Sequence, residues 1–172
     1  ALGEPDDEVL RNVLLALWRL ADDQTSLPPI LELLGSHHDP EVRANAALTL
    51  GRCMNQGDEA LAQDAIAAAM QDTEPKVRLH GSSIARRFPS TASSTTLRTQ
   101  LAVETVPLVR AGIAIALGAA KDRTAAGMLV EMLGSPREIE ATAARQALHQ
   151  TFGTDKGDSV EEWKRFLADI NS

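Results

Sequence analysis

The sequence predicts an all-α fold, a right-handed α-solenoid of about four to five helical hairpins with a C-terminal capping helix. The first observation is a recurring motif, PEVR at 40–43, PKVR at 75–78 and PLVR at 107–110, with a weaker copy that begins at Pro136. The second is that aromatic residues make up only 3% of the 172 residues, with no tyrosine. The third is that the β-branched and aromatic alternation of strands is missing. Repeats of about thirty residues bury apolar surface against their neighbours, so we expect an extended binding surface rather than a pocket.

Each proline motif predicts the start of a helix, because proline lacks the backbone N–H that would be unpaired in the first turn. Asp39 is expected to cap the helix that Pro40 opens, since its carboxylate can accept from free N–H groups. At the fourth motif, Ser135 with Glu138 three residues later predicts a capping box. Shorter amphipathic segments fill the intervals between the motif helices, at roughly 26–35, 58–71, 92–102 and 123–133.

The chain reads as a single domain over 1–172, with a partial first unit at 1–22 that contains an opening helix at roughly 6–20. Four repeats are expected at about 24–55, 56–89, 90–120 and 121–152, followed by a capping helix at 158–171. The apolar stripe of that helix includes Trp163, which with Phe152 is expected to cover the last repeat. Ser159 and Glu162 predict a capping box at its start.

The residues that follow each motif valine predict the buried face of the motif helices. They recur at helical spacing, as Val42, Ala46, Ala47 and Leu50, then Val77, Gly81, Ile84 and Ala85, then Val109, Ile113, Ala116 and Leu117. The only cysteine, Cys53, lies in an apolar helical stretch and is expected to be a buried structural thiol.

Paired helices with an Asp-Pro-x-Val-Arg string at the second helix resemble HEAT repeats, especially the short HEAT-like type of bacterial proteins that includes phycobilisome lyase relatives. The strongest stretch is LELLGSHHDPEVRANAALTLG at 31–51. In that family the motif arginine is commonly structural, so the resemblance implies that Arg43, Arg78 and Arg110 each tie their repeat to a nearby acidic group. The fourth motif lacks this arginine.

Catalytic motifs are scarce, so we expect a protein that is not an enzyme and holds no cofactor. The chain has no Gly-rich phosphate loop, no Gly-x-Ser-x-Gly string and no His-Glu-x-x-His string. The adjacent His37 and His38 are interpreted as part of an exposed turn and not as a metal site, because neighbouring residues rarely converge on one ion without further ligands. Two alternatives stay open: a lyase-like protein acting on a tetrapyrrole, and a nucleic-acid-binding protein, which the pI of about 5.1 disfavours.

The outward side of the motif helices predicts the candidate site. At 100° per residue, small or apolar residues occupy the positions two and six residues beyond each valine, with basic residues beside them. We therefore expect a non-catalytic scaffold that binds a protein or peptide on its concave face, through Ala44, Leu48, Arg52, Lys76, Leu79, Ser83, Arg86, Arg87, Ala111 and Ile115.

Charge is unevenly distributed along the chain. Residues 74–123 contain eight Lys and Arg against three Asp and Glu, whereas the whole chain carries a net charge of −7. A basic middle in an acidic protein predicts attraction of an acidic peptide or another anion. No apolar run is long enough for a membrane span. The chain starts at Ala1 without a methionine, as expected of a processed product or an excised domain, so the compartment is left open.

Overall fold

A computed structural model describes residues 6–20 and 26–170, and within these ranges the chain forms ten α-helices, one short 3-10 turn and no strand. The helices are α1 (Asp7–Leu20), α2 (Leu27–Ser36), α3 (Pro40–Cys53), α4 (Glu59–Met70), α5 (Pro75–Arg87), α6 (Thr91–Val103), α7 (Pro107–Ala119), α8 (Ala126–Leu133), α9 (Glu138–Phe152) and α10 (Val160–Ile170). The 3-10 turn covers Arg123–Ala125, immediately before α8. The predicted first unit and capping helix reach in part beyond the described ranges.

The contacts between helices divide the chain into two compact units, Ala1–Phe88 and Pro89–Ser172. In the first unit, α3 packs against α1, α2, α4 and α5, and α4 also packs against α2 and α5. In the second unit, α7 packs against α6 and α9, while α8 packs against α9 and α10. Neighbouring helices thus pack as in an α-helical repeat array, which confirms the predicted all-α repeat fold.

The helix starts follow the proline motifs in three of four cases. Helices α3, α5 and α7 begin at Pro40, Pro75 and Pro107, and a carboxylate oxygen of Asp39 accepts the N–H of Glu41 at 2.7 Å. The capping box predicted at the fourth motif is wrong, because α9 begins at Glu138 itself.

Ser135 has a different role from the predicted cap. Its hydroxyl donates to the carboxylate of Glu140 at 2.7 Å and accepts the N–H of Arg137 at 3.2 Å. The hydroxyl therefore orders the turn before α9, and the helix starts three residues later. At the start of α10, by contrast, Ser159 Oγ does accept the N–H of Glu162, at 3.3 Å.

The predicted apolar face is buried at every one of its positions. Two of the close packings depend on glycine. A Cβ at Gly81 would lie 2.6 Å from the Cβ of Ala69, and a Cβ at Gly118 would lie 2.6 Å from the Cα of Ala147. The missing side chains therefore let α5 approach α4 and let α7 approach α9.

The motif arginines bind the carbonyl groups of the turn that precedes their own helix. Nη1 of Arg43 donates to the carbonyls of His37 and His38, at 2.9 and 3.1 Å. Nη1 of Arg78 donates to those of Asp72 and Thr73, at 2.9 and 3.0 Å. Nη1 of Arg110 donates to the carbonyl of Leu101 in the last turn of α6, at 3.1 Å, and to that of Glu104 in the turn that follows, at 2.9 Å. The arginine thus pairs carbonyls that the ends of helices leave without a helical partner.

Acidic partners complete this arrangement for Arg43 and Arg110. Arg43 pairs with Asp72 at 2.7 Å, and Nε of Arg110 lies 3.4 Å from the buried Oε1 of Glu140. That oxygen accepts no hydrogen bond from the described residues, but it also lies 3.6 Å from Arg137, so two cations balance its charge. The structural role implied for Arg43 and Arg110 is confirmed.

The C-terminal helix is held by an aromatic cluster. Trp163 is fully buried, with its ring centroid 6.1 Å from that of Phe152 and 5.7 Å from that of Phe166, and its Nε1 donates to the carbonyl of Gly157. Helix α10 packs on α8. Trp163 is therefore a structural residue, as predicted.

Candidate functional site

A groove of about 400 Å³ lies within the first unit, between the C-terminal part of α1 and the sides of α3 and α5. Trp18 forms one wall. The rest is lined from α3 by Ala47, Leu48, Gly51 and Arg52, and from α5 by His80, Ser83, Arg86 and Arg87. The volume falls in the range of ligand sites and suits a few side chains of a bound segment.

Helix α1 is fixed to α3 by hydrogen bonds that hold the Trp18 wall in place. The buried hydroxyl of Thr49 shares its proton between the carbonyl of Asn45 in its own helix, at 2.7 Å, and the carbonyl of Leu14, at 3.0 Å. The thiol of Cys53 donates to the carbonyl of Leu17 at 3.8 Å and is itself buried, as the sequence predicted. These contacts place α1 beside α3, with Trp18, a residue that is 37% exposed, at the groove.

Arg87 fixes the opposite wall. Its Nη1 donates to the carbonyls of Gly51 and Arg52, at 2.6 and 3.2 Å, and its guanidinium carbon lies 5.4 Å from the centroid of the Phe88 ring. These carbonyls belong to the last turn of α3, where the helix dipole favours a cation. Arg87 therefore joins α5 to the end of α3 and is a positioning residue as well as a source of positive charge.

Arg52 and Arg86 supply the accessible charge of the groove. Both side chains belong to exposed residues, and neither forms an ion pair within the part of the chain that the structure describes. A guanidinium group offers five N–H donors in a planar fork that matches a carboxylate. Two such groups beside an exposed indole form a surface that can bind anionic and apolar groups together.

His80 contributes a polar group that is neutral at physiological pH. Burial lowers the pKa of this imidazole, the charge of Lys76 lowers it further, and the charge of Glu41 opposes them only in part. Lys76 itself pairs with Glu41 at 2.6 Å. The positive charge of the groove therefore comes from its arginines and not from His80.

The structure brings together five of the residues predicted from the sequence: Leu48, Arg52, Ser83, Arg86 and Arg87. Lys76 and Leu79 lie on the same helix as Ser83 but do not line the groove, and Leu79 is half-buried. The outward position predicted for Ala44 and Ala111 is wrong, because both are buried. Ile115 is half-buried and belongs to the second unit.

Trp18 and His80 line the groove although the sequence analysis did not select them. Trp18 follows the buried Leu14 by one helical turn, so it lies on the side of α1 that faces α3. The four-residue spacing between Leu14 and Trp18 could therefore have identified Trp18 from the sequence. His80 lies one turn before Ile84 on α5, and its position beside the groove depends on how α3 and α5 pack, which spacing along one helix does not give.

The basic stretch at 74–123 is less available than its composition predicts. In the second unit, Arg98 pairs with Asp122, Arg110 lies beside Glu140, and the guanidinium of Arg123 lies 5.7 Å from the centroid of the Phe152 ring. These cations stabilise their own unit and are less available to a partner. The arginines of the groove are therefore the better candidates for binding.

Comparison with known proteins agrees with this architecture. The family model of HEAT repeats matches residues 1–78, which include α1 to α4 and the start of α5. The chain has no significant match among curated proteins, and the comparisons do not confirm the phycobilisome-lyase detail of the resemblance. No described helix is long and apolar enough to cross a membrane. HEAT repeats generally serve as protein-interaction scaffolds. Residues 1–78 are thus similar to HEAT repeats, in agreement with the helix packing of the first unit.

Proposed function

We propose that the groove of the first unit binds an acidic peptide segment of a partner protein. Carboxylates of the segment pair with Arg52 and Arg86, and an apolar side chain packs against Trp18 and Leu48. The observation that carries the proposal is the pair of exposed arginines, without a carboxylate partner among the described residues, beside an exposed indole.

Charge complementarity favours an acidic partner over a neutral one. Potentials of opposite sign raise the rate of association and exclude partners of like charge. Tryptophan and arginine are also the side chains most enriched among the residues that dominate binding energy at interfaces. The general role of HEAT repeats as interaction scaffolds supports the same reading.

Binding without catalysis is the better account of the polar residues of the groove. The hydroxyl of Ser83 donates to the carbonyl of Leu79 within its own helix, at 3.3 Å, and is not hydrogen-bonded to His80 in the described residues. The described lining residues include no carboxylate that could orient the imidazole. Among them, neither a nucleophile–base pair nor an acid–base pair is assembled.

Selection from a random peptide display library, with the untagged chain as target, tests the proposal. We expect enrichment of Asp and Glu together with one large apolar residue. Selected peptides should shift the Trp18 fluorescence and bind at least about tenfold more weakly to Arg52→Glu and Arg86→Glu. Arg165→Glu, at an exposed position of α10 in the other unit, is the matched control. Enrichment of basic peptides, or equal binding by Arg86→Glu and the wild type, would contradict the proposal.

A further inference from the structure

A second cluster of functional side chains lies in the first unit, where the first turn of α1 meets the turn between α2 and α3. Oδ2 of Asp7 lies 3.1 Å from Nε2 of His38, and Oδ1 lies 3.6 Å from Nε2 of His37. One ligand atom from each of the three residues lies within 4.8 Å of the other two. Two adjacent histidines need a further ligand to hold an ion, and Asp7, 30 residues before His37 in the sequence, lies close enough in the folded chain to supply it.

The backbone of the turn is held firmly under the two imidazoles. The carbonyls of His37 and His38 both accept from Arg43, and the N–H of His37 donates to the carbonyl of Leu33 at the end of α2. Arg43 is in turn fixed by its ion pair with Asp72. The cluster is therefore attached to the same arginine that joins consecutive repeats.

An ion pair fixes α1 beside this turn. Arg11, one helical turn after Asp7, lies 3.3 Å from a carboxylate oxygen of Asp39. The side chain of His37 is only 14% exposed, whereas that of His38 is 79% exposed. His37 is thus the enclosed member of the cluster and His38 the accessible one, with its ring stacked on that of His37 at 4.6 Å between centroids.

The donor set and spacing match a particular class of metal. Imidazole nitrogens suit zinc, copper and nickel, whereas calcium and magnesium prefer ligand sets made of oxygen. Around a tetrahedral ion with ligands at 2.0–2.1 Å, neighbouring ligand atoms are about 3.3 Å apart. Each imidazole Nε2 lies close to that separation from one of the two carboxylate oxygens of Asp7, His38 at 3.1 Å from Oδ2 and His37 at 3.6 Å from Oδ1.

We propose that Asp7, His37 and His38 form a binding site for a divalent transition-metal ion such as Zn²⁺. The ion links the start of α1 to the α2–α3 turn and keeps at least one coordination position for water. Both imidazoles coordinate through Nε2 in their neutral form. For His37 this places the remaining ring proton on Nδ1, so the hydrogen bond that Nδ1 accepts from the N–H of Asp39 at 3.2 Å is lost. The site is therefore weaker than a closed four-ligand structural site.

Calorimetric titration of the chelator-stripped, untagged chain with ZnCl₂ tests the proposal. We expect one equivalent to bind, no binding of MgCl₂, and a rise in melting temperature with Zn²⁺. CoCl₂ should give visible absorption typical of low coordination number. His38→Ala and Asp7→Asn should each weaken Zn²⁺ binding by at least about tenfold.

His149→Ala is the matched control, since this exposed histidine lies on α9 in the second unit. Its Zn²⁺ affinity should equal that of the wild type. His38→Ala is the more decisive variant because its side chain is exposed and its loss leaves the fold intact, as circular dichroism can verify. The proposal is overturned if the wild type binds no Zn²⁺, or if folded His38→Ala binds as tightly as the wild type.

Discussion

Arg43 and Asp72, 29 residues apart, form a two-pronged ion pair that joins consecutive repeats. Nε of Arg43 donates to Oδ2 of Asp72 at 2.7 Å, and Nη2 donates to Oδ1 at 2.9 Å. The side chains are only 15% and 6% exposed. Because Asp72 also accepts the N–H of Glu74 at 2.8 Å, one pair connects the turn before α3 with the turn before α5.

Replacing Arg43 with lysine should destabilise the protein although the charge is kept. A lysine ammonium cannot make two parallel bonds to a carboxylate while also reaching the carbonyls of His37 and His38. We expect a loss of about 2–3 kcal/mol in the free energy of unfolding, somewhat below the cost of breaking a fully buried pair. Urea denaturation measures it. As a control, Lys76→Gln breaks the exposed pair with Glu41 and should cost less than about 1 kcal/mol.

The same pair predicts a dependence of stability on pH. Burial raises the pKa of Asp72, but the hydrogen bonds from Arg43 and Glu74 and the charges of Arg43 and Arg78 together lower it below the ordinary value of 3.8. The ionised form therefore stabilises the fold above that value, and this contribution is lost as the pH falls through the lower folded-state pKa.

Asp72→Asn should thus cost more stability at pH 7 than at pH 3, as urea denaturation at the two values would show. Asp64→Asn, at an exposed position of α4, should show no such difference. An equal loss for Asp72→Asn at both pH values would mean that the carboxylate charge contributes nothing.

Gly118 should not tolerate even alanine. The new methyl group would lie 2.6 Å from the Cα of Ala147 on α9, and backbone at that distance must shift. We expect Gly118→Ala to lose about 1–3 kcal/mol of stability. Gly127→Ala on α8 is the control, because a Cβ there meets open space and alanine favours the helix by up to about 1 kcal/mol. Comparable thermal melts for both variants would contradict the close packing of α7 on α9.

The two neighbouring arginines of the groove should differ in their effect on stability. Arg87→Gln removes the guanidinium that binds the carbonyls of Gly51 and Arg52, so we expect a loss of about 1 kcal/mol. Arg86→Gln should leave the free energy of unfolding unchanged, since no ion pair of Arg86 is found among the described residues. Equal urea midpoints for the two variants would show that Arg87 does not hold α5 to α3.

Much of the fold could be predicted from the sequence because the repeat carries its own local signals. Proline and the preceding Asp39 set the start of α3, and helical spacing after the motif valine gave the buried face. The start of α9 could not be predicted in the same way. There the hydroxyl of Ser135 binds the side chain of Glu140, a contact that lies outside the pattern of a capping box.

The candidate site was predictable only in part. An angle around one helix identifies the side opposite its main apolar stripe, but α3 packs against four other helices, so Ala44 is buried as well. Trp18 and Asp7 come from α1, which approaches α3 and the α2–α3 turn only in the folded chain. Charge could be counted from the sequence, whereas its pairing depends on contacts such as that of Arg98 with Asp122.

The most direct test of the acidic-peptide groove is a charge exchange between Arg86 and a selected peptide, read as four dissociation constants by calorimetry. We expect Arg86→Glu to weaken binding of the acidic peptide at least about tenfold, and a peptide with lysine in place of the contacting acid to recover affinity for that variant. The two changes would then be strongly non-additive. If their effects on binding simply add, Arg86 does not meet a carboxylate of the peptide, and the proposed groove is not the binding site.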